Sequence, residues 1–396
     1  MHFCLPRVLG LLFLFTFVPG ANATLDSGAP IVVGLSADMS RGGARSGEAI
    51  RRGAMLAIDE INARGGVLGR RLELSVSDHR GIPARGADNI MDFSENPNVV
   101  AVLGGLHTPV AMAELKPVHS QQIVYLGPWA AGTGVVENGH SPNYVFRVSV
   151  RDEYAGEFLI KAAIKKGAKR PGLLLWNTAW GRSNETAMSN AINKLALPAA
   201  PVEWFNTRPK SVDEELESLY QQGVDTVMLV ANPLDGVKVI RAMVKRAPDK
   251  RMPIISHWGI TGGNFYDKIA DVADQIDLTF LQTYSFFDPP FPEKSAQIQR
   301  RYCSMFNQCG PEKIISPVGT AHAYDLVKLL QKAIEQSGST DRVEVRDALE
   351  HLDRHDGLVR VYQRAFTPDD HDALDSSDFT LAQYDKFGAI RPVTLD

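Results

Sequence analysis

The sequence predicts an α/β protein of two similar lobes, each a parallel sheet covered by helices, joined by strands that cross between the lobes. Three observations carry this. Short, nearly all-apolar strands alternate with amphipathic helices along most of the 396 residues. The alternation has too many units for one open sheet, and it starts again after "YVFRVSV". No low-complexity tract or long Pro/Ser linker separates the halves, which favours crossing strands over a flexible tether. The length suffices for two domains, each with its own core. The formal net charge of −4 gives no reason to expect nucleic acid or an anionic membrane surface as partner.

The N-terminus reads separately. In "MHFCLPRVLGLLFLFTFVPGANA", Arg7 precedes an apolar run from Val8 to Val18, Pro19 and Gly20 break it, and Ala21-Asn22-Ala23 follows. This is the layout of a cleavable secretory signal over residues 1–23, cut after Ala23. The run is short for a membrane span of roughly 20 residues. Export leaves Cys303 and Cys309 in "YCSMFNQCG" as a pair expected to form a disulfide in an oxidising compartment. A bridge tolerates Cα separations up to about 7 Å, so a helix through Cys303 must end near Asn307, where Gly310-Pro311 supports a stop.

Taken in order, "IVVGLSA" is a strand and "DMSRGGARSG" a Gly- and Ser-rich loop. A helix follows, with Ile50, Ala54, Ala57, Ile58 and Ile61 on one face and Arg51, Arg52, Asp59 and Glu60 on the other. Gly65 ends it, and "LELSV" alternates as a half-exposed strand does. "NVVAVLGGL" and "QIVYLGP" are strands around the helix "PVAMAELKPVHS". The second series runs "RPGLLLWN", "SNETAMSNAINKLAL", "PVEWF", "VDEELESLYQQG", "DTVMLVAN", "PLDGVKVIRAMVKRA" and "MPIISHW". "DLTFLQTYS" reads as a strand returning to the first half, with long helices near Glu293 to Phe306 and Val318 to Glu335 after it. "DGLVRVYQRAFTPDDHDAL" and "FTLAQYDKFGAI" carry strand alternation and turn signals.

Catalytic signatures are absent from the sequence. There is no Gly-x-Ser-x-Gly, no P-loop and no His-Glu-x-x-His, and Gly42, Gly43 and Gly47 do not fit a dinucleotide fingerprint. "DDHD" (Asp369 to Asp372) reads as a solvated acidic turn, not a metal site. No cofactor is expected. Polar and aromatic residues gather instead at the carboxyl ends of strands, where open parallel sheets bind ligands. These ends are "SADMSRGGARSG", "GGLHT", "GPWAAGT", "WNTAWGRS", "VANPLD" and "SHWGITGG". Two run straight into helices, whose free N–H groups favour an anion such as a carboxylate. Trp129, Trp180 and Trp258 at such ends read as walls of a pocket. His107 and His257 read as hydrogen-bonded or ligand-contacting groups, not as bases.

The stretch "GAMLAIDEINARGGVLGRRLELSVSD", ending at Asp78, with "VVAVLGGLHTPVAMA", "IVYLGPWAAGT", "HWGITGGNF" and "FTPDDHDALDSSDFTLAQYDKFGAI", resembles the type I periplasmic binding proteins. The likeness is to the leucine/isoleucine/valine-binding group that feeds ABC importers, and it covers the mature chain. It implies two Rossmann-like lobes, residues 24–147 with 281–357 and residues 148–280 with 358–396. They would hinge near Tyr144 to Val150, Thr279 to Ser285 and Gly357 to Tyr362, closing on a small-molecule ligand. It also implies a periplasmic monomer without enzymatic activity, read by an ABC permease in the inner membrane. Gly65, Gly66 and Gly69 then serve the fold, turning the chain so that the second strand lies beside the first.

By the same resemblance, Thr108 falls where a hydroxyl bonds the ligand carboxylate. Trp129 and Ala131 lie in the second contacting segment, where Ala131 replaces a threonine. Trp180 matches an aromatic that covers the ligand, and Ser46 stands at another aromatic position. Trp258 falls where amino-acid binders place the acid that pairs with the ammonium. Asn232 and Asp235 lie in the remaining cleft loop; Asp235 is either a substitute charge or a first-turn helix residue. A buried ammonium without a carboxylate would be costly, so these departures point to a small organic acid, aromatic ones included, held at Thr108. Two other outputs fit the same sequence: sensing for a separate membrane signalling protein, and an exported enzyme using His107, His257 and Asp235.

Overall fold

The computed structural model describes residues 1–2 and 28–394; nearly all of the expected secretory signal lies outside them. Strands β1 (Ile31–Ala37), β2 (Leu72–Asp78), β3 (Val99–Leu103), β4 (Val124–Gly127) and β5 (Val145–Arg147) form one parallel sheet in the order β2-β1-β3-β4-β5. The second sheet joins β6 (Pro171–Trp176), β7 (Val202–Phe205), β8 (Thr226–Val230), β9 (Ile254–Ser256) and β10 (Leu278–Gln282). Their order, β7-β6-β8-β9-β10, repeats the first sheet's topology. Beyond a two-residue pair, β11 (His355–Asp356) with β12 (Val361–Tyr362), the chain adds the antiparallel hairpin β13 (Thr380–Tyr384) and β14 (Ile390–Val393) to the β10 edge. Both sheets reverse direction at one point, between β1 and β3 and between β6 and β8, where doubly wound sheets open a crevice.

Helices α1 (Ala44–Ala63), α2 (Pro83–Glu95), α3 (Thr108–Ser120) and α4 (Thr133–Val136) accompany the first sheet. Helices α5 (Asp152–Lys165), α6 (Ala179–Lys194), α7 (Asp213–Gln221) and α8 (Pro233–Lys245) accompany the second. After β10 the chain returns through α9 (Pro292–Phe306), α10 (Pro317–Ser337) and α11 (Arg342–Leu349), with α10 packed along α1. Successive strand residues face opposite layers. Ile31, Val33 and Leu35 join Ala54, Ile58 and Leu326 in one core, while Val32, Val102 and Tyr125 face Ile90, Phe93 and Leu115 in another. At Gly53 an added Cβ would lie 2.1 Å from the Thr320 carbonyl oxygen, so only glycine permits this approach of α1 to α10. Among the described residues no helix is long and apolar enough to cross a membrane.

The junction after α1 works through backbone geometry. Gly65, Gly66 and Gly69 all have positive φ (103°, 77° and 74°), a region in which a side chain is strained. The Gly66 N–H closes on Ile61 O at 3.0 Å, and Val67 and Arg70 exchange two backbone hydrogen bonds. The Asn62 side chain then brackets Leu72, accepting from its N–H at 2.8 Å and donating to its carbonyl at 2.9 Å. This seats β2 in register with β1 from Ile31↔Leu72 onward.

Several expectations change. "DLTFLQTYS" does not return to the first sheet: β10 pairs with β9 and β13 in the second. An all-buried strand carries no mark of which sheet it joins. Helix α1 begins at Ala44, inside the stretch read as loop, and the amphipathic helices α2 and α11 were not anticipated. Most of "DGLVRVYQRAFTPDDHDAL" is irregular. Its "DDHD" is only half solvated: Asp369 and Asp370 are exposed, but His371 and Asp372 are buried. Asp372 forms a two-pronged ion pair with Arg147, whose side chain is fully buried. Cys303 and Cys309 are bonded, with Cα atoms 4.4 Å apart, because α9 stops at Phe306 and Asn307 takes a left-handed conformation.

One buried acid makes lobe stability depend on pH. Glu114 on α3 accepts hydrogen bonds from Ser36 Oγ (2.6 Å) and Tyr125 OH (2.8 Å). Burial outweighs these and pushes its carboxyl up to about 7. Its protonated form is favoured in the fold, so its contribution is fully present at low pH and is lost as pH rises through about 7. We expect stability to fall on this account by on the order of 2–3 kcal/mol between about pH 5 and about pH 8. Glu114→Gln should flatten that part of the curve, measured as urea midpoints at the two pH values; parallel curves for both proteins would disprove it.

Candidate functional site

The strand ends of the two sheets face each other, and the structure brings most of the expected residues to this seam in two groups. The inner group is aromatic. Trp129, just after β4, packs against Trp258, just after β9, with ring centroids 5.7 Å apart. Trp258 also meets His257 (6.0 Å) and His322 of α10 (5.8 Å), and Trp180 of α6 meets His257 edge-on at 5.1 Å. All five rings are buried. Further contacts close the seam: Ser316 Oγ donates to Thr261 O at 2.9 Å, and the Thr133 N–H donates to Ser183 Oγ at 3.1 Å.

Thr108 begins α3 and is 4% exposed. Its Oγ1 accepts the Gly132 N–H at 3.2 Å, which leaves its O–H free to donate. Thr108 and Gly132 line a cavity of about 430 Å³ between α3 and α4 on one side and α6 on the other, with Glu153, Arg182 and Ser183. The loop carrying Trp129 and Ala131 is held from below. Arg147 donates to the Ala130 and Gly132 carbonyls (3.2 and 2.9 Å) while pairing with Asp372. Ser149 Oγ donates to Trp129 O at 2.9 Å, and the Asp152 N–H to Ala131 O at 2.9 Å.

The outer group lines a cavity of about 130 Å³ at the mouth. It includes Asp38, His107, Arg208, Asn232 and Asp235. Asp235 sits in the first turn of α8 but accepts the Arg208 N–H at 2.9 Å instead of capping its own helix; burial raises its carboxyl. His107 precedes α3 and stands edge-on to His79 at 5.8 Å; burial lowers both imidazoles, His79 to about 4. Ser46 is buried near the start of α1, its Oγ donating to Gly43 O at 2.6 Å. His107 and Asp235 therefore share the mouth, whereas His257 contacts Asp152, Trp180 and Trp258.

Two inner residues escaped the sequence reading. His322 bridges Pro128 O through Nδ1 (2.8 Å) and Thr283 Oγ1 through Nε2 (2.9 Å). A carbonyl only accepts, so Nδ1 carries the proton, and burial lowers the imidazole to about 4. Asp152, the first residue of α5, is wholly buried. Its Oδ1 accepts from Trp180 Nε1 at 3.2 Å and stands 3.1 Å from His257 Nε2, out of hydrogen-bond alignment. The available signal was position: "SVRD" comes shortly after β5, as the other motifs come after their strands.

Two doubly wound lobes with facing strand ends and a buried aromatic seam define a bilobal ligand-binding protein. The chain belongs to the periplasmic binding protein family, whose model matches residues 30–389. A relative named Leu/Ile/Val-binding protein BraC3, from Rhizobium johnstonii, is 22% identical over 317 residues, covering 80% of this chain and 82% of its own. Among solved structures, a periplasmic binding protein type 1 from Bordetella pertussis superposes with a TM-score of 0.82 at 20% identity, over 92% of this chain and 100% of that one. LivJ of Streptococcus pneumoniae, in complex with isoleucine, gives 0.76 at 19% identity, over 92% and 99%. A solute-binding protein from R. palustris, in complex with 4-hydroxybenzoate, gives 0.76 at 16% identity, over 92% and 96%. Members of the family bind small molecules and work with ABC permeases; it is a solute-binding family, not a family of enzymes, and its location is extracytoplasmic.

Proposed function

We propose that this chain is the solute-binding protein of an ABC importer, capturing a small carboxylate-bearing ligand by closure of its lobes. The observation that carries the reading is Thr108. Its hydroxyl has its acceptor side engaged by Gly132 and its donor side free, at the N-terminus of a 13-residue helix and against an interlobe cavity. A hydroxyl donor and a helix N-terminus together suit a carboxylate. Isoleucine and 4-hydroxybenzoate, bound by the two structural neighbours, share a carboxylate. Ligand touching both lobes favours the closed state through its differential affinity, and a permease in the inner membrane then reads that state.

The test is a thermal-shift screen of residues 24–396, refolded from denaturant to strip carried-over ligand. The panel holds aliphatic and aromatic amino acids, their desamino acids, amides and quaternary amines. A true ligand at a hundred times its dissociation constant adds about 2.7 kcal/mol of stability. Thr108→Val should weaken the best carboxylate by about 1.5–3 kcal/mol, the worth of a hydrogen bond to a charged group. Stabilisation by amides or quaternary amines alone, or a Thr108→Val variant with unchanged affinity, would refute the reading.

A further inference from the structure

Three arginines meet at the mouth, two of them with nothing to hold. Arg41 follows β1, Arg80 follows β2 and Arg208 follows β7, and all three line the cavity of about 130 Å³. In each loop an aspartate takes the arginine's backbone N–H: Asp38 that of Arg41 (2.8 Å), Asp78 that of Arg80 (2.9 Å) and Asp235 that of Arg208 (2.9 Å). Asp38 also accepts the Gly43 N–H at 2.8 Å, and Asp78 the Met39 N–H at 2.9 Å. The three acids are thus engaged by backbone donors, and the guanidinium groups are left over. Arg80 stands 3.7 Å from Asp78. The side chains of Arg41 and Arg208 have no ion pair or hydrogen bond among the described residues. Arg80 and Arg208 hold φ of 55° and 53°, left-handed positions that ordinarily go to glycine or asparagine. His107 lines the same cavity, and its Nδ1 is buried without a hydrogen-bond partner among the described residues.

We propose that the mouth binds a free inorganic oxyanion of the phosphate or sulfate type, held by Arg41 and Arg80 from the first sheet and by Arg208 from the second. A guanidinium fork matches two oxygens of an oxyanion, so three forks from three loops suit a tetrahedral group better than a carboxylate. Helix α8, 13 residues long, starts at the same cavity with Pro233, and no side chain caps it, which adds positive potential there. The site is separate from the solute cavity at Thr108: the two share no lining residue. Its halves meet because the lobes meet, since a Cβ at Gly42 would lie 3.1 Å from Leu234 of α8. An anion bound to both halves therefore favours the closed arrangement and should strengthen solute capture. That effect on capture rests on the solute-binding reading above; the anion site itself does not.

The experiment is calorimetric titration of residues 24–396 with sodium phosphate and with sodium sulfate, each against sodium chloride at matched ionic strength, with no solute present. Phosphate or sulfate should bind saturably, well above the chloride control. Arg41→Gln and Arg208→Gln should each lower that affinity about 10-fold. Arg71→Gln, at an exposed arginine just before β2 and so at that strand's other end, should leave it unchanged. Arg41 and Arg208 are exposed and unpartnered among the described residues, so both variants should fold. Saturating oxyanion should then tighten binding of the best carboxylate from the thermal-shift panel by about 3-fold or more. No saturable binding beyond the chloride control, or binding that survives unchanged in both arginine variants, overturns the site and leaves carboxylate capture standing. An oxyanion that competes with the carboxylate overturns it too, by placing the anion at Thr108. Solute affinity that ignores the oxyanion overturns the bridging of the lobes. If no solute in the panel binds, the solute-binding reading fails, and the direct titration still decides the anion site.

Discussion

Arg147→Met should destabilise the protein by about 3–5 kcal/mol, the cost of stranding one member of a buried ion pair. Asp372 would be left as a buried carboxylate, and the Ala130 and Gly132 carbonyls would each lose a donor. The pair also ties together two segments 225 residues apart in sequence. The Arg147 N–H donates to His371 O and the Ala373 N–H to Arg147 O, both at 2.9 Å. Removing both charges together, as Arg147→Met with Asp372→Leu, should recover much of the loss, because an apolar pair of similar volume is often neutral. Urea unfolding followed by circular dichroism measures both. A single variant within about 1 kcal/mol of wild type would mean that the pair behaves as a surface pair does. Because the same guanidinium holds the loop of Trp129 and Ala131, ligand affinity should also fall in any variant that still folds.

Trp129→Ala should cost about 3–5 kcal/mol, as large-to-small changes of buried aromatics do. The ring is fully buried between Trp258 and α10, and a Cβ at Gly319 would come within 2.5 Å of it. That glycine is the room α10 makes for the indole. Filling it, as Gly319→Ala, should therefore be harmful alone and better tolerated when Trp129 is already Ala. A double-mutant cycle on urea midpoints reads this coupling; strictly additive effects would show that the indole and the helix do not share the space.

Much of the fold was legible because apolar strands and 3.6-periodic helices alternate, and because parallel sheets put their polar residues at strand ends. Trp129, Trp180 and Trp258 were singled out that way, and Thr108 through the family resemblance. What escaped shares a physical cause. A strand buried on both faces, such as β10, looks the same whichever sheet it joins. Arg147 and Asp372 meet only because two segments far apart in sequence run side by side, so neither residue's neighbours in sequence announce the pair. His322 lies inside α10, where a histidine on an apolar face has no local mark of what it touches. Asp152 follows β5 as the other expected residues follow their strands, but its flanking residues lack the Gly and Trp that marked the rest.

The central claim is that ligand is held in the seam and draws the lobes together. Small-angle X-ray scattering of the refolded protein, before and after saturation with the best stabilising carboxylate, tests it most directly. The account predicts a smaller radius of gyration with ligand and, in the saturated sample, a profile matching the closed arrangement in which Trp129 meets Trp258. A ligand that stabilises the protein while leaving the scattering profile unchanged would contradict it, and would place binding outside the moving cleft.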